Sequence, residues 1–490
     1  MTLNHKEAKL LFVNKKKQKN FDCFWPGAAV LPLLLAGCSV GPHYKTPAPA
    51  PNPVPADFKE IEGWKPADPV ALPGGAWWEI YNDPILNALE RTISISNQTV
   101  AEDAANYRSA EALVTEAQAG LFPTLSGSFA GSRAQNGGGQ SSSVYGGSRG
   151  ADTTLTPELS ASWTLDIWGS IRHQIEEAKQ TAQVDKADLA YATLSAQATL
   201  ASDYFQLRSA DALQDLLART VEADQRSLTI TQNQYNAGTV TRADYVTAQA
   251  QVDSAQAELA GVASSRATYE HAIAVLTGNA PAAVTIARAA LPNDVPVPPA
   301  GIPSELLERR PDIAAAEHEM RAQNEAIGVA VAALYPTISL TATGGFTGNR
   351  LNNLFNVANR FWSLGASGSY TIFDSFAQTA AVRAAQANYD ASVASYRETV
   401  LTAFQGVEDQ LAALHAYQNE SGLSDEAVAA AQKAVDVTLN QYRAGTVAYT
   451  SVVTEQNSLL SDQQSQLTVQ TNRLLASVTL FEDLGGGWQR

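Results

Sequence analysis

Tyr235-Asn236-Ala237-Gly238-Thr239-Val240 returns 207 residues later as Tyr442-Arg443-Ala444-Gly445-Thr446-Val447. Further upstream, Leu121-Phe122-Pro123-Thr124 returns as Leu334-Tyr335-Pro336-Thr337 at an offset of 213. A repeat this long means a structure built twice, in which each half buries against the other what it cannot bury alone.

The residues between those stretches divide by period. From Leu159, the odd positions Leu159, Ala161, Trp163, Leu165 and Ile167 are apolar, while Ser160, Ser162, Thr164 and Asp166 fall between them. From Trp362 the even positions do the same, and Ile338, Leu340 and Ala342 alternate with Ser339, Thr341 and Thr343. Leu125 and Phe129, with Ser126 and Ser128, form a weaker fourth pattern. Period two with one apolar face predicts a half-buried strand. Each half thus holds two strands joined by a polar connection, of which Gln135 to Asp152 is rich in Gly and Ser. Thr124 to Thr164 spans 40 residues and Thr337 to Thr371 spans 34, which accounts for the drift in offset.

Alternation alone also fits a soluble sandwich. Here the polar face is Ser and Thr with little charge, and Trp163, Trp168, Trp362 and Tyr370 lie on the apolar face or at strand ends. That is the pattern of a membrane barrel, apolar outward with aromatic girdles. Four strands cannot close a barrel, and lipid does not tolerate open edges. Strands in lipid therefore require several chains to share one barrel.

Long helical patterns follow the strands. Ser170 to Gln234 contains no Pro or Gly, and in Phe376 to Gln441 only Gly406 and Gly422 interrupt. About 66 residues at ~1.5 Å each span roughly 100 Å. Val400, Phe404, Val407, Leu411 and Leu414 step as a coiled-coil seam, and the last three shift back by 207 to Leu200, Tyr204 and Leu207. Ala-Gly-Thr-Val then supplies a helix-ending Gly, and return helices are predicted over Arg242 to Leu276 and Tyr449 to Leu484. Each half reads as a hairpin of strands followed by a hairpin of helices. The helices are rich in Ala and Gln and suit close approach more than a thick apolar core.

The first 37 residues form a leader. Lys6, Lys9, Lys15, Lys16, Lys17 and Lys19 precede the apolar stretch Phe24 to Ala36, which ends Leu35-Ala36-Gly37-Cys38. The layout is secretory, and the apolar stretch is too short to span a bilayer. Its ending resembles a bacterial lipoprotein signal, which implies acylation of Cys38; Ser39 favours delivery to the outer membrane. Cys23 lies within the leader, so only Cys38 remains and no disulfide framework is possible. The leader carries six Lys against Glu7 and Asp22, so of the whole chain's −16 the part beyond residue 37 carries −20. Such a chain is a poor nucleic-acid binder, while its cavities would favour cations. No run of about 18 apolar residues follows the leader, which excludes a spanning helix.

Catalytic signatures are missing. There is no phosphate loop and no Gly-x-Ser-x-Gly elbow. The six His are scattered, and His318 beside Glu319 lacks a second His at helical spacing. No enzyme, metal or cofactor is expected, apart from a covalent lipid on Cys38.

Three stretches carry a resemblance: Cys38-Ser39-Val40-Gly41-Pro42-His43-Tyr44 with the Pro-rich tether after it, Trp77-Trp78-Glu79-Ile80-Tyr81-Asn82-Asp83-Pro84-Ile85-Leu86, and Ile302 to Glu317, which contains Leu306-Leu307-Glu308-Arg309-Arg310-Pro311-Asp312-Ile313. The chain resembles the outer-membrane factor family, the TolC-type channels of tripartite efflux pumps, in its lipoprotein branch. The resemblance implies a mainly α chain with membrane β-strands, as two tandem repeats. A homotrimer would form a 12-stranded barrel over a long periplasmic helical tunnel with an equatorial belt. It also implies a periplasmic adaptor and an inner-membrane pump of the resistance-nodulation-division type as partners.

At the helix tips, Asn236, Gly238, Gly445 and Thr446 become candidates for adaptor docking, although a helix cap and turn reads equally well from the residues. Asp244 and Tyr442 match gate positions of the family. Ser451 and Thr454 stand where relatives often carry aspartates, with Glu455 one position off, and Val447 stands where some use an arginine. The expected divisions are a leader at 1–37, an acylated tether and equatorial segment at 38–84, and repeats at 85–300 and 301–490. The expected function is a passive outer-membrane exit duct for drugs and toxic small molecules. The alternatives are a type I protein-secretion duct and a structural periplasmic coiled-coil lipoprotein.

Overall fold

The computed structural model describes residues 40–47, 58–61, 76–135, 151–296, 309–486 and 488; Cys38, most of the tether and residues 302–308 of the family motif lie outside them. A short 3₁₀ turn, Trp77–Tyr81, leads into helices α1 (Pro84–Ser96) and α2 (Gln98–Ala119), strands β1 (Thr124–Ala134) and β2 (Asp152–Leu165), and helices α3 (Ser170–Asn236) and α4 (Arg242–Leu276). The second half gives α5 (Pro311–Ala332), β3 (Thr337–Phe346), β4 (Arg360–Ser369), α6 (Ala377–Arg443) and α7 (Tyr449–Asp483).

The predicted strands and long helices are all present, but the unit is larger than a strand hairpin plus a helix hairpin. A helix of 22 residues precedes the strands in each half, α2 in one and α5 in the other. The three longest helices of each half have matching lengths of 22, 67 and 35 residues. The duplication therefore holds helix lengths fixed and lets the strands differ. The starts of the extra helices do carry signals. Asp83 accepts from the Ile85 and Leu86 N–H groups at 2.8 and 3.2 Å, with Pro84 first in α1. Asn97 accepts from Val100 N–H at 3.1 Å to cap α2, and Pro311 opens α5.

The short helices stack end to end on the return helices. Asn97 Nδ2 donates to Leu276 O at 2.8 Å, and Ser96 Oγ donates to Thr277 O at 2.8 Å, joining the end of α4 to the start of α2. At the equivalent junction in the second half, Arg310 Nη1 donates to Asp483 O at 2.9 Å and Oδ1 at 3.0 Å. Free carbonyls at a helix C-terminus are thereby satisfied by the N-cap residue of the next helix. Gly278 (φ +72°) and Gly485 (φ +86°) turn the chain away at these junctions, and a Cβ on either would lie 2.2 Å from the Ser96 or Arg309 carbonyl. Each half thus presents one continuous long helix beside one assembled from two pieces. Neither Gly406 nor Gly422 breaks α6; Gly406 leaves room for the Asp483 carboxylate, which a Cβ would meet at 2.8 Å.

The largest apolar cluster lies where the stacked helices meet. Trp77, Tyr81, Tyr204, Phe205 and Phe481 are buried there with Leu86, Ile93, Leu200 and Leu207. Trp77 stacks on Phe481 with centroids 5.4 Å apart, and Tyr81 lies 4.9 Å from Phe205. This core is thicker than the Ala- and Gln-rich helices predict, because the 3₁₀ turn brings in aromatics from outside them. The seam residues Val400, Val407, Leu411 and Leu414 are buried, as are Leu200, Tyr204 and Leu207.

The four strands form one antiparallel sheet in the order β1-β2-β3-β4. Register puts Leu125, Ala161, Ala342 and Leu364 in one row, with Gly127, Leu159, Gly344 and Trp362 in a parallel row on the same face. The opposite face carries Ser126, Ser160, Thr343 and Ser363, with Thr343 Oγ1 and Ser363 Oγ 2.6 Å apart. Pro157 has no N–H to donate, and it sits where the β2–β3 ladder ends at Glu158 and Gly345. No helix among the described residues is long and apolar enough to cross a membrane.

Candidate functional site

Three regions of the chain bear on function: the sheet, the mid-height belt and the helix tips. In the sheet, the apolar face is open in the single chain, with Leu125 74%, Leu159 59%, Trp362 70% and Leu364 75% exposed. Apolar side chains this exposed, in register on one face, require an apolar medium or partner. At the end of the sheet nearest the helices, Trp168 Nε1 donates to Pro336 O at 2.8 Å and Trp163 Nε1 donates to Leu121 O at 3.0 Å. Trp168 also stacks on Tyr335 at 4.7 Å. Aromatics with bonded polar tips are what a membrane–water boundary selects. Phe122, Tyr370, Phe373 and Phe376 are exposed at this same end. Among the described residues, both outer edges of the sheet, on β1 and β4, lack a strand partner.

The strap Val40–Tyr44 docks at this end of the sheet. Val40 N–H donates to Trp168 O at 3.1 Å. The His173 ring lies between Val40 O, 3.0 Å from Nε2, and Glu325, 2.5 Å from Nδ1. Asn324 Nδ2 donates to Pro42 O at 3.4 Å, and the Arg321 guanidinium lies 5.4 Å from the Tyr44 ring centre.

The belt residues meet near the middle of α3. The Tyr204 hydroxyl donates to the Asp83 carboxylate, and Tyr81 Oη donates to Ser477 Oγ at 2.9 Å. Below them, Asp211 bridges two guanidinium groups, Arg208 at 3.0 Å and Arg266 at 2.7 Å. Those arginines also donate to Ala287 O and Ile286 O, both at 2.6 Å, pinning the chain after α4 to the bundle. Higher up, on α2, α3 and α5, carboxyls crowd together. Burial pushes Asp188 up, and the charges of Asp185, Asp103 and Glu319 add to the rise; burial raises Glu177 as well, helped by Glu319 and Glu325. Part of the acidic balance of the sequence is gathered here.

At the tips, Ala-Gly-Thr-Val is a helix end. Gly238 (φ +69°) and Gly445 (φ +73°) have nothing within 4 Å of a would-be Cβ, so the backbone angle, not space, calls for Gly. Thr239 N–H donates to Gln234 O at 2.9 Å and Thr446 N–H to Gln441 O at 3.0 Å. The Thr446 hydroxyl donates to Gln441 O as well, at 2.9 Å. Asn236, Gly238, Gly445 and Thr446 are all exposed.

Asp244 forms a capping box. Its carboxylate accepts from Thr241 N–H at 3.1 Å and Thr241 Oγ1 at 2.8 Å, while Thr241 Oγ1 accepts from Asp244 N–H at 3.2 Å. Tyr442 Oη donates to Gln234 Oε1 at 2.8 Å, linking the α6 end to the α3 end. Burial raises the Tyr442 phenol, with the Asp244 charge adding a smaller push. Asp244 thus lies near Tyr442, but each has its own hydrogen-bond partner. Ser451, Thr454 and Glu455 lie on the first turns of α7; Thr454 is exposed and Ser451 and Glu455 half-buried.

The sequence reading missed the contacts that zip one helical hairpin to the other. Tyr449 is buried with Ala248 and Val452, Gln251 Nε2 donates to Asn457 Oδ1 at 2.6 Å, and Gln464 Nε2 to Glu258 Oε1 at 2.5 Å. The offset of 206 between partners in both glutamine bonds is the one available signal, since it places equivalent positions of the two repeats opposite one another.

An open sheet with an apolar outer face, carried on helices about 100 Å long, defines one protomer of a membrane channel with a helical extension. The profile of the outer membrane efflux protein family matches residues 91–279 and 302–486. The chain belongs to this family. It is 31% identical over 472 residues to the solvent efflux pump outer membrane protein SrpC of Pseudomonas putida, covering 93% of this chain and 97% of that protein. It is 29% identical over 465 residues to the probable efflux pump outer membrane protein TtgC of the same species, covering 94% and 95%. Among solved structures it is similar to the outer-membrane channel OprN, with a TM-score of 0.84 and 29% identity over 92% of this chain and 100% of that one. The protein is an outer-membrane efflux channel whose helices extend into the periplasm.

Thr241→Ala and Asp244→Ala each remove half of the capping box, and each is expected to loosen the start of α4 by about 1 kcal/mol. Hydrogen exchange at 241–246 and single-channel conductance should change alike in the two variants. A conductance change in Asp244→Ala that Thr241→Ala lacks would assign the Asp244 charge to the gate.

Proposed function

We propose that three copies of this chain close one 12-stranded barrel and act as the exit duct of a tripartite efflux pump. A periplasmic adaptor would dock at the helix tips, and an inner-membrane pump of the resistance-nodulation-division type would supply the energy. The cargo is drugs and other toxic small molecules, and the chain itself catalyses no reaction. The observation that carries this reading is the sheet, with two unpaired edges and an exposed apolar face, since neither is stable in lipid without neighbouring copies. The relatives named for solvent and toluene efflux support the cargo class.

In this reading Asn236, Gly238, Gly445 and Thr446 form the docking surface. Tyr442 with Gln234 holds the tips together at rest, and Asp244, Ser451, Thr454 and Glu455 surround the narrowest part of the duct. Residues 1–37 are removed, and Cys38 receives the lipid. The strap supports that anchor, because Val40, two residues after Cys38, is held by Trp168 at the base of the sheet.

Removing the gene from a strain that expresses the partner pump should raise sensitivity to several unrelated toxic compounds; unchanged sensitivity would contradict the efflux role. Cys38→Ser should abolish fatty-acid labelling, and labelling that survives would refute the anchor.

A further inference from the structure

Asp224 is an unusual residue of the tip region. It lies on α3, about four turns before the turn at Gly238, and is only 3% exposed. Its Oδ2 has no hydrogen-bond partner. Among the described residues no Lys, Arg or His forms an ion pair with it, and burial alone pushes the carboxyl up to about 6. On the facing helix α7, Gln456 Oε1 is also buried without a partner.

The register of the two antiparallel helices brings these groups level. Thr471 Oγ1 donates to Ser209 Oγ at 2.8 Å. Fifteen residues nearer the tip on each helix, about 22 Å along the axis, stand Gln456 and Asp224. The titratable groups round Asp224 are phenols. Tyr449 of α7 is pushed up to about 12, first by burial, with the Asp224 charge adding. Tyr442 of α6 is raised as well, and Asp244 of α4 lies beside Tyr442. Both phenols stay neutral wherever Asp224 titrates.

We propose that Asp224 and Gln456 form an acid-tightened latch between the two helical hairpins of each protomer. The proposal rests on the tip gate set out above and adds its regulation. When protonated, Asp224 has a hydroxyl to donate to Gln456 Oε1, and the interface is satisfied. When ionised, it is a charge buried with no cation beside it, an arrangement that the neutral Gln456 amide does not offset and that water would relieve if the hairpins parted.

The sign follows from the direction of the shift. A carboxyl open to water ionises near its ordinary value of about 3.9, whereas the packed one holds its proton to about 6. The bias toward the parted arrangement therefore grows from about pH 4 to about pH 6 and is level above that. Acid tightens the periplasmic end, and neutrality frees it.

The test uses the full-length protein in lipid, with spin labels at exposed Gln232 and Thr450 reporting the distance between hairpins, and with conductance recorded in parallel. The wild-type distance should lengthen between pH 4 and pH 7.5, and conductance should rise at least twofold. Asp224→Asn, which cannot ionise, should keep the short distance and low conductance throughout. Gln456→Lys, which gives the ionised carboxylate a cation, should also stay short at pH 7.5. A wild-type distance that does not change, or two variants that titrate like the wild type, would overturn the latch. The labels report whether or not the protein conducts, so a moving hairpin in a protein without conductance would count against the duct and leave the latch standing.

Discussion

The backbone hydrogen bonds left open along β1 and β4 govern the rest of the architecture. In water a sheet edge can be solvated; in hydrocarbon each unpaired N–H or C=O costs several kcal/mol. The outward face of this sheet carries Leu125, Leu159, Trp362 and Leu364 and suits hydrocarbon, while the edges do not. Only β-strands of other copies can satisfy both conditions at once. The Ser and Thr rows on the inner face then line a polar bore. Selection on one chain's edges thus becomes selection on assembly.

The helical part solves a different problem, that of length without a thick core. A single helix near 100 Å long would be poorly supported by Ala-rich contacts alone. The chain places beside it a second column built from two pieces, joined where Asn97 reaches the end of α4 and Arg310 reaches the end of α7. The join satisfies exposed carbonyls and leaves space at mid-height for Trp77, Tyr81 and Phe481. The largest apolar cluster therefore sits where the second column is interrupted. Below it, the tips are joined by the Tyr442–Gln234 hydrogen bond and by the small cluster of Tyr449, Ala248 and Val452.

Much of this was legible because the governing patterns are local. Strand alternation, the Pro- and Gly-free helices and the Ala-Gly-Thr-Val ends all express backbone requirements that one residue type meets. The short helices α2 and α5 escaped because their small, Ala-rich faces give weak periodicity, although Asn97 and Pro311 marked their starts; α1 carried both an apolar stripe and the Asp83-Pro84 start. The gate was harder. An acidic residue at position 244 reads the same whether it caps α4 or rings a constriction, and in the structure it forms the cap. Asp224 is one acid among many on α3, and only its cover by α7 sets it apart.

The claim at the centre is that β1 of one copy pairs with β4 of the next. One engineered cysteine on each of these strands, facing across the expected junction in the protein as assembled in the outer membrane, measures this directly. Disulfides between chains, and a covalent ladder that stops at three copies, are expected. Cross-links confined to one chain, or a ladder running past three, would contradict it.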